Sequence, residues 1–333
     1  MSVMRFCLGL IFATVLLAGC VFGQDSATTP TATQASPVSQ PADVKANDAR
    51  ATDVTPIDLE PDATGVVPPE QVRDLLRRAE EKDLENEKRL RDYTYIEREE
   101  RHKLKGRGAE PGEAKKIDSR TWEILEIYGE PVARLTAKDD KTLPANEAKK
   151  EDDKIQKIID KRKNESEDDR RKRLKKEERD REEDRKFVLE IADAFNFRLL
   201  GSEALAGRDA WVLEGEPRPG YEAKSRDARM LSKFKGRIWI DKADAQWVKL
   251  DITAIDTVSY GLVLARVHKG THILFEQIRV NDEVWLPQQV EIHLDARVAL
   301  FKAYDEDIEL TFHDYKKFRA DTTMTVVGEE NRK

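Results

Sequence analysis

Cysteine is nearly missing from this 333-residue sequence: only Cys7 and Cys20 occur, both close to the N-terminus. Everything after Cys20 is therefore without disulfides and without a cysteine-ligated metal. Stability must come from a packed core, which a chain of this length can build. An excess of one charge is missing too. Lys and Arg number 59, Asp and Glu 66, for a net −7. No basic surplus points to nucleic acid, and no nucleic-acid partner is expected. The longest apolar candidate, Leu8–Leu17, is too short to span a bilayer as a helix. Catalytic signatures are missing as well: there is no GxSxG, no P-loop and no GxGxxG. His268 and His272 are four apart but flank Gly270, so a turn and not a helix separates them, and no metal site is expected. No motif asks for a cofactor, and nothing speaks for an enzyme.

What is there begins with an export signal over residues 1–23. Arg5 precedes the apolar run, as a signal peptide requires. Two processing routes stay open. Leu17-Ala18-Gly19-Cys20 looks like the lipobox of bacterial lipoproteins, which implies cleavage before Cys20 and a lipid on its sulfur. Val21-Phe22-Gly23 instead suits ordinary cleavage, leaving Gln24 as the first residue. Residues 24–67 are rich in Thr, Ala, Pro, Asp and Ser and have no apolar period. They read as a disordered linker. Tethered at Cys20, such a linker reaches about 40 Å.

Pro68 and Pro69 open the first helix, with Val72, Leu75, Leu76 and Ala79 on one face over about Pro69–Leu84. Three strands follow, at Arg91–Leu104, Ser119–Gly129 and Pro131–Asp139. Residues 145–195 form a charged helical arm, its signs mixed as on a solvated helix. Asn164–Ser166 can break it in two. Its apolar positions are sparse until Phe187, Ile191 and Phe195. The arm is expected to pack weakly over Lys161–Glu183 and firmly at its end.

From Phe197 short strands dominate, with turns at Gly207, Ala243–Ala245, Gly270 and Asn281–Asp282. Ala228–Gly236 reads as a short helix. The longest strand pattern is Val284–Phe301. Within it Val290, Ile292, Leu294, Ala296, Val298 and Leu300 alternate with polar residues, one apolar face and one wet face. Ile308, Leu310 and Phe312 repeat the pattern. The count comes to about ten antiparallel strands, dry on one side, ending near Ala320, with residues 321–333 as a tail.

Three stretches carry a family resemblance: GRDAWVLEGEPRPG (Gly207–Gly220), GRIWIDKADAQWVKLDI (Gly236–Ile252) and NDEVWLPQQVEI (Asn281–Ile292). Over Pro68–Ala320 the chain resembles the periplasmic lipoprotein carriers of the LolA/LolB-like superfamily. The resemblance implies an α+β fold: a curved antiparallel sheet, an unclosed half-barrel, covered by helices. It implies a cavity for lipid or lipoprotein acyl chains, bordered by Val290, Ile292, Leu294, Ala296, Val298, Leu300, Ile308, Leu310 and Phe312. It places the protein on the periplasmic side of the envelope, in contact with the outer membrane through the Cys20 anchor. As the alternative it allows a periplasmic protein-interaction or envelope-stress sensor module, with the same fold filled by its own side chains and no lipid. The charged arm departs from the compact carriers.

Overall fold

The computed structural model describes residues 59–104, 115–225, 227–260, 265–298 and 302–318. Cys20 and its lipobox lie outside the described residues, as do Leu300 and the tail.

Helix α1, Pro69–Leu90, comes first and runs past Leu84 to the edge of the first strand. Strands β1 (Tyr93–Lys103), β2 (Lys115–Ile127), β3 (Glu130–Lys138) and β4 (Lys141–Thr142) follow. The arm is two helices, α2 (Ala145–Lys163) and α3 (Glu167–Ala194). The break falls at Asn164–Ser166. Ser166 caps α3, its Oγ accepting from the Asp169 N–H at 3.2 Å. Then come β5 (Phe195–Leu205), β6 (Arg208–Pro217), a 3₁₀ segment at Asp227–Lys233, β7 (Phe234–Asp241) and β8 (Trp247–Ala254). After them come β9 (Val258–Tyr260), β10 (Ala265–Val267), β11 (His272–Val280), β12 (Val284–Val298) and β13 (Lys302–Lys317).

Thirteen strands form a single antiparallel sheet, where the sequence suggested about ten. The order is β4-β3-β2-β1-β13-β12-β11-β8-β7-β6-β5, with β9 and β10 beside β12. The ends of this order do not pair, so the half-barrel is unclosed, an α+β fold with helices on the sheet. The first strands join the last: β1 pairs with β13. The arm therefore links the two edges of the open sheet, β4 and β5. At 28 residues, α3 is about 42 Å long. Most of that crossing meets only solvent and α1, which explains its charge.

Two-residue hairpins set the registers. Tyr128 and Gly129, Asp139 and Asp140, and Ala206 and Gly207 all have positive φ, the backbone of a type I′ turn whose twist suits paired strands. The β5 edge is covered in part by residues read from sequence as linker. The Val67 N–H donates to the Phe197 carbonyl at 2.9 Å, and Val66 bridges to Arg198. Leu59 and Val67 are buried, so the packed unit reaches back at least to Leu59.

The core lies between the inner face of the sheet and two helical stripes. Val72, Leu75, Leu76 and Ala79 of α1, with Phe187, Val188, Ile191 and Ala192 of α3, pack on Leu213, Ile238, Leu250, Phe275, Val290 and Ile308. The helix expected at Ala228–Gly236 is corrected. It is a 3₁₀ turn that ends at Lys233, and β7 already starts at Phe234. Gly236 explains why: a Cβ there would stand 2.2 Å from the Asp251 carbonyl oxygen. The chain lies flat against β8 at that point.

Candidate functional site

The site is an apolar cavity at the β5 end of the sheet, and missing side chains create it. One row of partners crosses four strands: Phe197 with Gly215, Gly215 with Gly236, Gly236 with Ile252. Cross-strand partners point to the same face, so the middle of this row is bare. The Phe197 ring leans over the gap, its Cε1 2.9 Å from where a Gly215 Cβ would sit. Phe195, Phe234, Ile238, Trp247 and Leu250 form the walls. Leu76 of α1, Ile191 of α3 and Leu231 of the 3₁₀ turn close it from above.

The cavity measures about 60 Å³. A cavity of about 150 Å³ takes a benzene ring. This one has room for the tip of an alkyl chain.

Carboxylates of α3 hold the cover down. Glu190, buried on the inner turn of α3, accepts from the Tyr221 hydroxyl at 2.5 Å and the Lys224 N–H at 2.6 Å. Burial and the Glu190 carboxylate push the Tyr221 hydroxyl well above its ordinary range. Asp193 pairs with Lys224 at 2.7 Å and with Arg73 of α1. Burial works against its charge, yet Lys224 and Arg73 hold its carboxyl below the ordinary value. The loop before the 3₁₀ turn, α1 and the end of α3 are thus joined at two carboxylates.

The expected binding face lies beside this cavity. Val290, Ile292, Leu294 and Ala296 are no more than 1% exposed, and Ile308, Leu310 and Phe312 no more than 6%. All seven belong to the packed core, and none lines the cavity. Val298 is the last residue of β12; its side chain and Leu300 lie outside the described residues. Sequence reasoning missed Gly215 and Gly236. The signal was present, since a glycine inside a strand pattern marks a close approach or an open space.

The tryptophans of the three resembling stretches divide by face. Trp239 and Trp285 join a separate outer cluster with Ala210, Val212 and Val248. Their indole N–H groups donate to Glu203 at 2.8 Å and Asp244 at 2.9 Å. Asp241, 2% exposed, accepts both the Arg208 guanidinium and the N–H groups of Ala243 and Asp244. It builds the β7–β8 turn, so the W-I-D stretch is structural. His268 pairs with Asp295 and His272 with Asp251. Among the described residues no cluster that could hold a metal ion forms. No helix among them is long and apolar enough to cross a membrane.

At the other end of the sheet the inner face is charged. Arg101, Glu99 and Glu97 of β1 pair with Ile308, Leu310 and Phe312 of β13. Burial, and then the neighbouring Glu99, push the Glu97 carboxyl up to about 7.

No protein-family model matches the sequence, and no curated protein matches it. Solved structures resemble it in fold. A domain assigned to outer membrane lipoprotein sorting, from Vibrio parahaemolyticus, is 14% identical, with 76% of this chain and 95% of that chain covered at a TM-score of 0.31. A LolA superfamily protein from Nitrosomonas europaea is 11% identical, covering 74% and 94%, at 0.23. MucB, solved in complex with MucA, is 10% identical, covering 73% and 94%, at 0.20.

Proposed function

We propose that this protein binds acyl chains of lipids or lipoproteins, in the cavity beneath α1 and the end of α3, for transfer or sorting at the outer membrane. The observation that carries this reading is the cavity itself. Its walls are almost wholly apolar, its floor is two glycines, and its cover is joined by a few ion pairs and hydrogen bonds. Each buried CH₂ of a chain contributes about 0.8 kcal/mol, which favours entry once the cover lifts. The protein acts on the periplasmic side of the envelope, tethered by an acylated Cys20 through the residues that follow it. It carries out no covalent chemistry. The test is lipid extraction of the purified protein followed by mass spectrometry. Co-purifying acyl lipid supports the reading; a protein that carries none and takes up no fluorescent fatty acid overturns it. Intact mass of protein from membranes tests the anchor separately: a blocked, lipidated Cys20 supports it and a free Gln24 N-terminus removes it.

A second reading has its own observation. The inner face of β11–β13 is covered by Ile273, Phe275, Ile292, Leu294 and Tyr304, all buried, and none of them lines the cavity. A protein-interaction or envelope-stress sensor module, with a periplasmic protein partner and no lipid, would look the same there. An empty lipid extract together with stable capture of one periplasmic protein would favour it.

A further inference from the structure

Trp247 lines the cavity and carries a buried polar group without a partner among the described residues. It lies at the start of β8 and is 1% exposed. Its indole Nε1–H is buried and finds no acceptor among the described residues. The residue before it is satisfied. Gln246, fully buried, accepts from Asn86 at 2.7 Å and donates to Gln277 at 3.1 Å. Trp239 and Trp285 also have acceptors. A buried donor without a partner is costly and rare, and a native one calls for an explanation.

We propose that the Trp247 N–H is the recognition point of the cavity, donating to an uncharged carbonyl oxygen at the head of a bound acyl chain, an ester or amide. The inference rests on the acyl-binding reading above and names the chemistry of the ligand within it. The walls are mostly apolar, so the cavity favours a hydrocarbon, and the unpartnered N–H of Trp247 calls for a single acceptor. A free carboxylate is disfavoured. Lys235 and Arg237 border the cavity but are exposed, and they flank Gly236 at strand positions of the outer face. A buried carboxylate would therefore lack a counter-charge, at high cost. An ester keeps its charge at zero and satisfies the indole.

The experiment compares three probes of matched length, methyl octanoate, octanoate and nonane, on the full chain and on Trp247→Phe. Phe keeps most of the wall and deletes the donor. Affinity for methyl octanoate should fall about three- to ten-fold in the variant, the worth of one net hydrogen bond, and affinity for nonane should stay. Octanoate should bind the wild type more weakly than the ester. Equal losses for ester and alkane would make Trp247 a packing residue and overturn the proposal. So would no loss for either, which leaves acyl binding intact. If no probe binds the wild type, the acyl reading itself fails and this inference with it. Wild-type protein with ¹⁵N-labelled tryptophan gives a second readout that needs no stable variant. The Trp247 indole N–H resonance should move downfield with methyl octanoate and not with nonane; a resonance indifferent to the ester overturns the assignment.

Discussion

The two ends of the sheet turn opposite chemistry toward the same side. At the β5–β8 end the inner positions are Phe197, Gly215, Gly236 and Ile252, roofed by α1 and the last turns of α3. At the β1–β2 end they are Glu97, Glu99 and Arg101, which pair across to Trp122, Arg120 and Asp118. There the apolar stripe sits on the other face: Leu125, Ile127 and Val132 pack against Ile155 of α2. Each helix thus lies where the strand alternation puts the apolar residues. A half-barrel that stays open can change its buried face along its width. Among the described residues, the end with aromatic walls and glycine floor carries the apolar cavity.

The hardest blow to the cavity end is Gly236→Val. Its Cβ would meet backbone, the Asp251 carbonyl oxygen at 2.2 Å, and backbone cannot swing aside as a side chain can. A loss of about 3 kcal/mol, the upper end of the overpacking range, is expected in chemical denaturation. A variant as stable as wild type would mean that β7 and β8 separate easily and that the cavity floor is soft. Next comes Ala296→Phe. Ala296 is fully buried among core side chains and does not line the cavity. We expect about 2 kcal/mol of destabilisation by overpacking with acyl affinity unchanged. Unchanged stability with lost acyl binding would extend the site to β12 and make the two ends less different than they look.

Much of this contrast could be read before any fold was known. The alternation from Val290 to Ala296 announced a strand with one dry face, and that face is buried. The stripe Val72, Leu75, Leu76, Ala79 announced the helix that covers it. What alternation cannot say is where a filled face gives way to a gap. That depended on Gly215 and Gly236 coming opposite one another, a register fact involving two strands. Nor could composition show that the charged arm joins both edges of the sheet. Its exposed Leu174 reads as insertion in either case. The segment 59–67 looked like linker because its few apolar residues, Leu59, Val66 and Val67, have no period. They act singly, by edge pairing and burial.

The charged end gives a pH test. The Glu97 carboxyl is raised from the ordinary 4.5 to about 7, chiefly by burial, and Glu126 is raised to about 7 for the same main reason. The folded protein therefore holds these protons more tightly than the unfolded chain. Their contribution to stability is full below about pH 4.5 and is lost as pH rises through about 7. Glu97→Gln removes the charge at all pH values. Discounted for partial exposure, it should raise stability by about 1 kcal/mol at pH 8 and leave it unchanged at pH 4. Denaturation midpoints at both pH values check this. A variant less stable than wild type at pH 8 would show that the ionised carboxylate has a favourable partner, and that the charged wing is a site in its own right.

The smallest expected effect concerns the arm where it leaves the charged end. Glu130 at the start of β3 pairs with both Arg162 of α2 and Arg173 of α3, and Glu165 between the helices pairs with the same two arginines. These groups are 12–26% exposed, less than a surface pair and more than a buried one. Beyond Arg173 the arm carries little to pack, and Leu174 is 48% exposed. The clasp, with Ile155 and the partly buried Ile158 and Ile159, holds the corner of the arm to the sheet, while Phe187–Ala194 hold its other end. Glu130→Gln deletes one arm of the clasp and leaves Glu165 to serve both arginines. A loss of about 0.5 kcal/mol is expected at low salt, vanishing near 1 M salt, where screening reaches within a few ångströms. Denaturation curves at the two salt concentrations measure it. If the loss is several-fold larger and insensitive to salt, the corner is part of the cooperative core. In that case the arm does more than connect the two edges, and the charged end is as firmly built as the cavity end.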